Sequence, residues 1–253
     1  MPRQLRLTAA VFLVVLLVFP AFGHSQQTGQ TGTGAAGARL KALEDIADKK
    51  IGVFTGTVHD KFVAEHYPKS TVFRYETTSD MILSLKTGKI DAVMIDLITA
   101  KILLRRNPEL GILTDKVFDM PLGVGFRKDN PELRKEFDRF LQAIRENGVY
   151  EEMRGRWFME DAEGAVMPVI GNPASEKTLK AGVAVDDLPY VAFVNGEYVG
   201  FDIELIRRFA EGANYRLEIV TMEFAALIPA LASGKVSMIA DGIAITEERS
   251  RQI

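Results

Sequence analysis

Two stretches of the chain alternate short apolar runs with helical patterns, and this alternation limits the possible folds more than any other feature. In the first stretch the predicted strands are Ile51–Phe54, Val72–Tyr75 and Ala92–Ile95, and the predicted helices are Val58–His66 and Ser79–Lys86. In the second stretch the predicted strands are Ala181–Val185, Arg216–Val220 and Ser237–Ala240, and the predicted helices are Ile203–Gly212 and Ala225–Ala232. Such alternation predicts α/β lobes in which helices cover the faces of mostly parallel sheets.

Two segments of different composition separate these stretches. Residues 26–40 are small, polar and rich in glycine, which predicts a flexible linker. Residues 161–177 are interrupted by prolines and glycines and predict a second linker. The remaining segments, residues 41–160 and 178–253, are therefore predicted to contain the α/β lobes.

A pair of helices ends the first of these two segments. Asn130-Pro131 is typical of a helix start, because proline suits the first helical position. Gly148 ends this helix, and a shorter helix over Val149–Phe158 contains Trp157, the single tryptophan. The apolar positions of the first helix recur at helical spacing, which predicts core packing. These positions are Leu133, Phe137, Phe140, Leu141 and Ile144.

The first 25 residues have the pattern of an export signal. Arg3 and Arg6 form a basic start, Ala9–Pro20 is almost wholly apolar, and small residues around Gly23 suit cleavage there. The apolar run is about 12 residues long, whereas a transmembrane helix needs roughly 20. We therefore expect cleavage near Gly23 and a mature chain in the periplasm.

Composition argues against several classes of function. The formal net charge is −3 and no long basic run is present, so a nucleic-acid partner is not expected. There is no cysteine and there are only three histidines, so neither a metal site nor another cofactor is expected. No acid–base or nucleophile pair stands at a recognisable catalytic spacing, so no catalytic residue is predicted.

Several short motifs together resemble the extracellular solute-binding proteins of family 3, the polar amino-acid receptors of ABC transporters. The motifs are Val199–Leu205, Leu231–Val236, Ile245–Arg249, Lys50–Val53, Thr55–Thr57, Lys89–Ala92, Gly148–Tyr150 and Arg156–Phe158. In the family the counterpart of residues 178–253 comes before the counterpart of residues 41–160. The order here is reversed, which indicates either a circular permutant or a truncated tandem receptor.

The resemblance implies a periplasmic-binding-protein-like fold with two α/β lobes joined by a hinge. It also implies a function, the binding of a small polar solute, most simply an amino acid, for a membrane permease. A ligand-sensing input domain of a signalling protein is the alternative on the same fold. A periplasmic enzyme on this fold is a third and weaker alternative.

The resemblance assigns the charged residues that would hold an amino acid. Arg249 corresponds to the family's binding arginine, whose guanidinium can grip both oxygens of a carboxylate. Asp96 follows a predicted strand at the sheet edge where α/β proteins bind ligands, and it corresponds to the aspartate that receives the ammonium. Thr55, Gly56 and Thr57 precede a helix, so their N–H groups and hydroxyls can hold a carboxylate. The simpler alternatives are a solvated arginine and ordinary helix caps.

Further site residues follow from the same resemblance. The expected ligand-contacting residues are Tyr190, Phe224, Thr246, Gly242 and Asp186, and for the last of these Asp187 is an equal alternative. Two positions depart from the family pattern. Ala244 stands where a hydroxyl is usual, and Asp241 introduces a carboxylate that would repel the ligand's carboxylate unless it points away or meets a basic side chain.

Overall fold

The computed structural model describes residues 7–18, 40–114, 117–159, 164–186 and 188–253. Apart from Leu40, the predicted linker at residues 26–40 lies outside the described residues, and so does Asp187. The α/β class predicted from the sequence is confirmed by the elements described below. Two units are named throughout: the N-lobe (residues 40–114) and the C-lobe (residues 117–159 and 178–253).

The chain begins with one long strand and continues into the N-lobe. The N-terminal strand is β1 (Leu7–Val18). The N-lobe contains β2 (Lys50–Phe54), α1 (Val58–His66), β3 (Thr71–Tyr75), α2 (Thr78–Lys86), β4 (Ala92–Asp96), α3 (Leu97–Arg106) and β5 (Leu110–Thr114). Threonine side chains begin two of these helices, since Thr57 Oγ1 accepts from Asp60 N and Thr77 Oγ1 accepts from Asp80 N.

The C-lobe repeats the alternation. It contains β6 (Asp119–Phe126), α4 (Pro131–Glu146), α5 (Val149–Arg154), β7 (Thr178–Val183), β8 (Ala192–Val194), β9 (Glu197–Val199), α6 (Phe201–Gly212), β10 (Arg216–Thr221), α7 (Leu227–Ala232), β11 (Met238–Ala244) and α8 (Glu247–Gln252). The predicted apolar stripe of α4 packs into the core, with Phe137 and Leu141 each 2% exposed. No helix among the described residues is long and apolar enough to span a membrane.

The central part of each lobe is a parallel sheet. Strand β2 pairs in parallel with β3 and β4 in the N-lobe, and β7 pairs in parallel with β10 and β11 in the C-lobe. The prediction of mostly parallel sheets therefore holds for these six strands. Strand β6, in contrast, runs antiparallel to β11. Because the carboxyl ends of parallel strands meet at one edge, each lobe presents the residues after its strands toward the other lobe.

Strand β1 joins the two sheets. Its first half pairs antiparallel with β6, and its second half pairs antiparallel with β4 and β5. The described sheet is thus continuous in the order β10-β7-β11-β6-β1-β4-β2-β3. In the intact chain, the apolar stretch predicted to be an export signal occupies the strand position between the lobes. Cleavage of this segment near Gly23 remains a prediction.

The predicted second linker is extended but fixed to the C-lobe. Residues 164–177 contain no helix or strand. Asn172 nevertheless bonds both backbone groups of Leu217, and Gly171 N donates to Glu211 Oε1 at 2.7 Å. This segment therefore lies along the edge strand β10 instead of hanging free.

Candidate ligand-binding site between the lobes

A cavity of about 420 Å³ lies between the lobes and is lined by residues of both. Its walls are formed by the residues that follow β2, β3 and β4 in the N-lobe and β7 and β10 in the C-lobe, together with β11. Most of the residues predicted from the sequence line this cavity: Thr55, Thr57, Asp96, Asp186, Tyr190, Phe224, Gly242 and Arg249. Gly56 and Thr246 do not line it, but each hydrogen-bonds to Arg249.

Arg249 lies in the first turn of α8 and its guanidinium reaches across to the N-lobe. Thr246 caps this helix, and its Oγ1 accepts from Arg249 N at 3.1 Å. Nη1 of the guanidinium donates to Ala244 O at 3.0 Å, and Nη2 donates to Gly56 O at 3.1 Å. The guanidinium also lies 5.5 Å from the ring centroid of Phe224. Burial lowers the pKa of Arg249, but a guanidinium stays charged at neutral pH. The alternative of a fully solvated arginine is therefore wrong.

Asp96 presents a carboxylate to the cavity at the end of β4. It occupies the cap position of α3 but forms no side-chain capping bond, so the helix-cap alternative does not account for it. His59 Nε2 lies 3.4 Å from Asp96 Oδ1. Among the described residues, that oxygen and both ring nitrogens of His59 are buried without a hydrogen-bond partner. Buried polar atoms are normally paired, so this corner of the cavity has unused capacity for a polar ligand.

The turn from Thr55 to Thr57 is largely engaged with its own neighbours. Gly56 adopts φ +73°, where glycine is favoured, and its N–H points to Asp60 Oδ2 at 3.4 Å. The Thr57 hydroxyl donates to Phe54 O at 2.8 Å. Thr55 and Thr57 thus line the cavity, whereas the N–H of Gly56 is directed to Asp60 in this structure.

Asp186 binds the opposite lobe. Its Oδ1 accepts from Thr78 N at 2.9 Å and from Thr78 Oγ1 at 2.7 Å. Thr78 is the first residue of α2, so a C-lobe carboxylate caps an N-lobe helix. This contact favours approach of the two lobes.

The unexpected carboxylate of Asp241 is half-buried and lies close to the buried carboxyl group of Asp202. Asp241 Oδ2 accepts from Ala184 N at 3.2 Å, and Asp202 Oδ2 accepts from Gly242 N at 2.6 Å. Burial raises the pKa of Asp202 to about 6. Burial also raises the pKa of Asp241 well above its usual range, and the charges of Asp202 and Asp186 raise it further. The raised pKa means that burial disfavours the charged form of Asp241, which weakens the repulsion of a ligand carboxylate expected from the sequence.

The two predicted aromatic residues lie at the cavity in different ways. Tyr190 is only 8% exposed, follows the cis Leu188-Pro189 bond, and packs edge-on against Phe158 at 5.7 Å. Phe224 is partly exposed beside Arg249. Tyr190 therefore belongs both to the hydrophobic core and to the cavity wall, whereas Phe224 belongs to the cavity wall.

Two cavity residues were missed or set aside in the sequence. Glu76 directly follows β3, and Glu223 lies two residues after β10, so each stands at the carboxyl end of a parallel strand. That position was the available signal, because ligands bind at this edge of α/β sheets. Among the described residues no group of three His, Cys, Asp or Glu side chains could hold a metal ion.

Comparison of the sequence with known proteins finds one matching protein family and several relatives. A sequence model described as "Bacterial extracellular solute-binding proteins, family 3" matches residues 54–160 and 179–253. The ABC transporter arginine-binding protein 1 of Escherichia coli K12 is 32% identical over 123 residues, which cover 47% of this chain and 51% of that protein. The L-cystine-binding protein TcyJ of the same organism is 25% identical over 48% of this chain and 46% of that protein.

A solved structure shows the same similarity in three dimensions. A mutant of ArgBP from T. maritima is 26% identical and has a TM-score of 0.50, covering 60% of this chain and 59% of that chain. The present chain spans about half the length of the curated relatives given above.

Proposed function

Because the chain belongs to the bacterial extracellular solute-binding proteins of family 3, we propose that it binds a free amino acid between its two lobes. The observation that carries this proposal is one cavity with opposite charges from opposite lobes, Arg249 from the C-lobe and Asp96 from the N-lobe. A free amino acid carries one carboxylate and one ammonium, so it complements that pair. Charge-assisted hydrogen bonds of this kind contribute roughly 1.5–3 kcal/mol each.

The contacts across the cavity support a mechanism of lobe closure. Arg249 donates to Gly56 O, Asp186 accepts from Thr78, and Lys61 Nζ lies 2.6 Å from Glu248 Oε2. Each pair joins the C-lobe to the N-lobe. A ligand that adds contacts to both walls stabilises the closed arrangement, and a membrane partner can recognise that arrangement.

The cellular setting of the proposal follows from the family. The chain is proposed to be exported to the periplasm by its N-terminal segment, with cleavage near Gly23. It would deliver its amino acid to the permease of an ABC transporter without converting it chemically. The relatives are named as binding proteins, which favours binding over catalysis.

The test is a thermal-shift and calorimetric screen of the full chain against the free amino acids. A ligand at 100 times its Kd stabilises the folded state by about 2.7 kcal/mol, which corresponds to a rise of about 5–10 °C in Tm.

Arg249→Ala is expected to weaken binding at least about tenfold through loss of the carboxylate anchor. Arg251→Ala is the matched control, because Arg251 is exposed on the same helix and pairs with Glu247. A screen without any Tm shift, or equal affinity in Arg249→Ala, would reject the proposal.

A further inference from the structure

The cavity carries more negative than positive side chains. Its described lining includes one guanidinium, one imidazole and five carboxyl groups, and the carboxyl groups outnumber the guanidinium even when Asp241, whose pKa is raised, is left out. The carboxyl groups belong to Glu76, Asp96, Asp186, Glu223 and Asp241. A zwitterionic amino acid with a neutral side chain brings no net charge, so it leaves this imbalance uncompensated.

Three of the five carboxyl groups have a role that does not require a charged side chain on the ligand. Asp96 is assigned to the ligand's ammonium, Asp186 accepts two hydrogen bonds from Thr78, and Asp241 accepts from Ala184 N. Glu76 and Glu223 differ. Their carboxylates form no hydrogen bond or ion pair within the part of the chain that the structure describes.

Glu76 and Glu223 belong to different lobes. Glu76 directly follows β3 in the N-lobe, and Glu223 lies two residues after β10 in the C-lobe. Both residues line the cavity and both are exposed, so they lie where the cavity opens to solvent. A charge on the far end of a long ligand side chain would meet both of them there.

A buried histidine independently indicates a polar ligand in the same cavity. His59 is 7% exposed and lines the cavity, and neither of its ring nitrogens has a hydrogen-bond partner among the described residues, with Nε2 lying 3.4 Å from Asp96 Oδ1. The neighbouring Asp96 Oδ1 is also buried without a partner. A ligand that bonds these atoms is held at its α-carbon end, and its side chain is then free to extend toward the opening.

We infer that the ligand is an amino acid with a long cationic side chain, whose charge is held at the cavity mouth by Glu76 and Glu223. The inference rests on the proposed function and adds the class of side chain. The two glutamates attract the cation from both lobes, so they favour closure as well as binding. Neutral side chains form no ion pair with them, and acidic side chains are repelled by them.

The experiment compares arginine with citrulline, which has nearly the same shape but no side-chain charge. Isothermal titration calorimetry of the full chain is expected to give a Kd for arginine about ten- to a hundredfold below that for citrulline. The double variant Glu76→Gln/Glu223→Gln is expected to reduce this ratio to near one. The matched control is Glu152→Gln/Glu176→Gln, which changes the net charge equally at exposed residues outside the cavity. It is expected to keep the ratio of the unmodified protein.

Each other outcome has a separate meaning. If citrulline or glutamine binds as tightly as arginine, the inference is wrong while the proposed function stands. If arginine keeps its advantage in Glu76→Gln/Glu223→Gln, the assignment of these two residues is wrong. If no amino acid binds to the folded chain, the proposed function fails and the inference fails with it.

Discussion

Asp202 is a carboxyl group buried at the start of α6, where its position makes stability depend on pH. It is 5% exposed and accepts from Gly242 N, and burial raises its pKa to about 6. In the unfolded chain an aspartate has a pKa of about 4. The folded protein therefore binds more protons between these values, and its stability falls as the pH rises from about 4 to about 6.

Asp202→Asn tests this linkage at the residue scale. Asparagine can still accept from Gly242 N but has no charge to desolvate. Relative to the unmodified protein, its free energy of unfolding is expected to rise by about 2–3 kcal/mol between pH 4 and pH 7. Urea titrations at several pH values, followed by Trp157 fluorescence, measure this difference.

Asp129→Asn is the control for the pH experiment. Asp129 is exposed, and its hydrogen bond from Arg127 lowers its pKa. Its stabilising contribution is therefore present above the unfolded pKa and is lost as pH falls, the opposite sign to Asp202. Identical pH profiles for Asp202→Asn and the unmodified protein would contradict the assigned burial effect.

At the scale of elements, Glu204 of α6 binds the helical residues that directly follow α5. This carboxylate is fully buried and accepts from Trp157 Nε1 at 2.7 Å. Arg156 Nη1 and Arg208 Nη2 each lie 2.8 Å from its oxygens. One side chain thus holds two helical elements together, because α6 belongs to the second segment while Arg156 and Trp157 follow α5.

Glu204→Gln is expected to destabilise the protein by about 2–4 kcal/mol. The amide keeps one acceptor but leaves two partly buried guanidinium groups without a counter-charge. Chemical denaturation followed by the fluorescence of Trp157 measures the loss. Glu151→Gln is the control, since its pair with Arg154 is exposed and should contribute less than about 1 kcal/mol. Equal stabilities of the two variants would reject the role given to Glu204.

At the scale of the whole molecule, β1 connects the two lobes. It pairs with β6 of the C-lobe and with β4 and β5 of the N-lobe. Removal of residues 1–23, as the predicted export signal implies, takes this strand away. The facing edges of β4 and β6 then lose their backbone partners, and unpaired edges are costly and prone to association.

A chain that begins at His24 is therefore expected to be less stable than the full chain. The loss should be on the order of 5 kcal/mol, because a whole strand of backbone hydrogen bonds is removed. Differential scanning calorimetry measures the Tm, and light scattering after size-exclusion chromatography measures self-association. A truncated chain that is monomeric and melts at the same temperature would show that β1 contributes nothing to the folded protein.

The sequence by itself determined the local elements and their order. Predicted strands and helices such as Ile51–Phe54 and Val58–His66 agree closely with β2 and α1. Apolar periodicity and capping threonines act within a few residues, so they can be read without the fold. The same local rules put Asp96 at the end of a strand, and the resemblance put Arg249 at the ligand.

Only the tertiary structure decided which of these residues meet. The bond between Asp186 and Thr78 joins segments far apart in the chain, and so do the bonds of Asp202 to Gly242 and of Asp241 to Ala184. Glu76 and Glu223 come from different lobes and line one cavity, where their carboxylates have no partner within the described part of the chain. The apolar run at Leu7–Val18 has no periodicity that separates an export signal from a central strand. Its pairing with β4, β5 and β6 depends on edges that exist only after both lobes have formed, and this long-range dependence is the physical reason why the sequence did not reveal it.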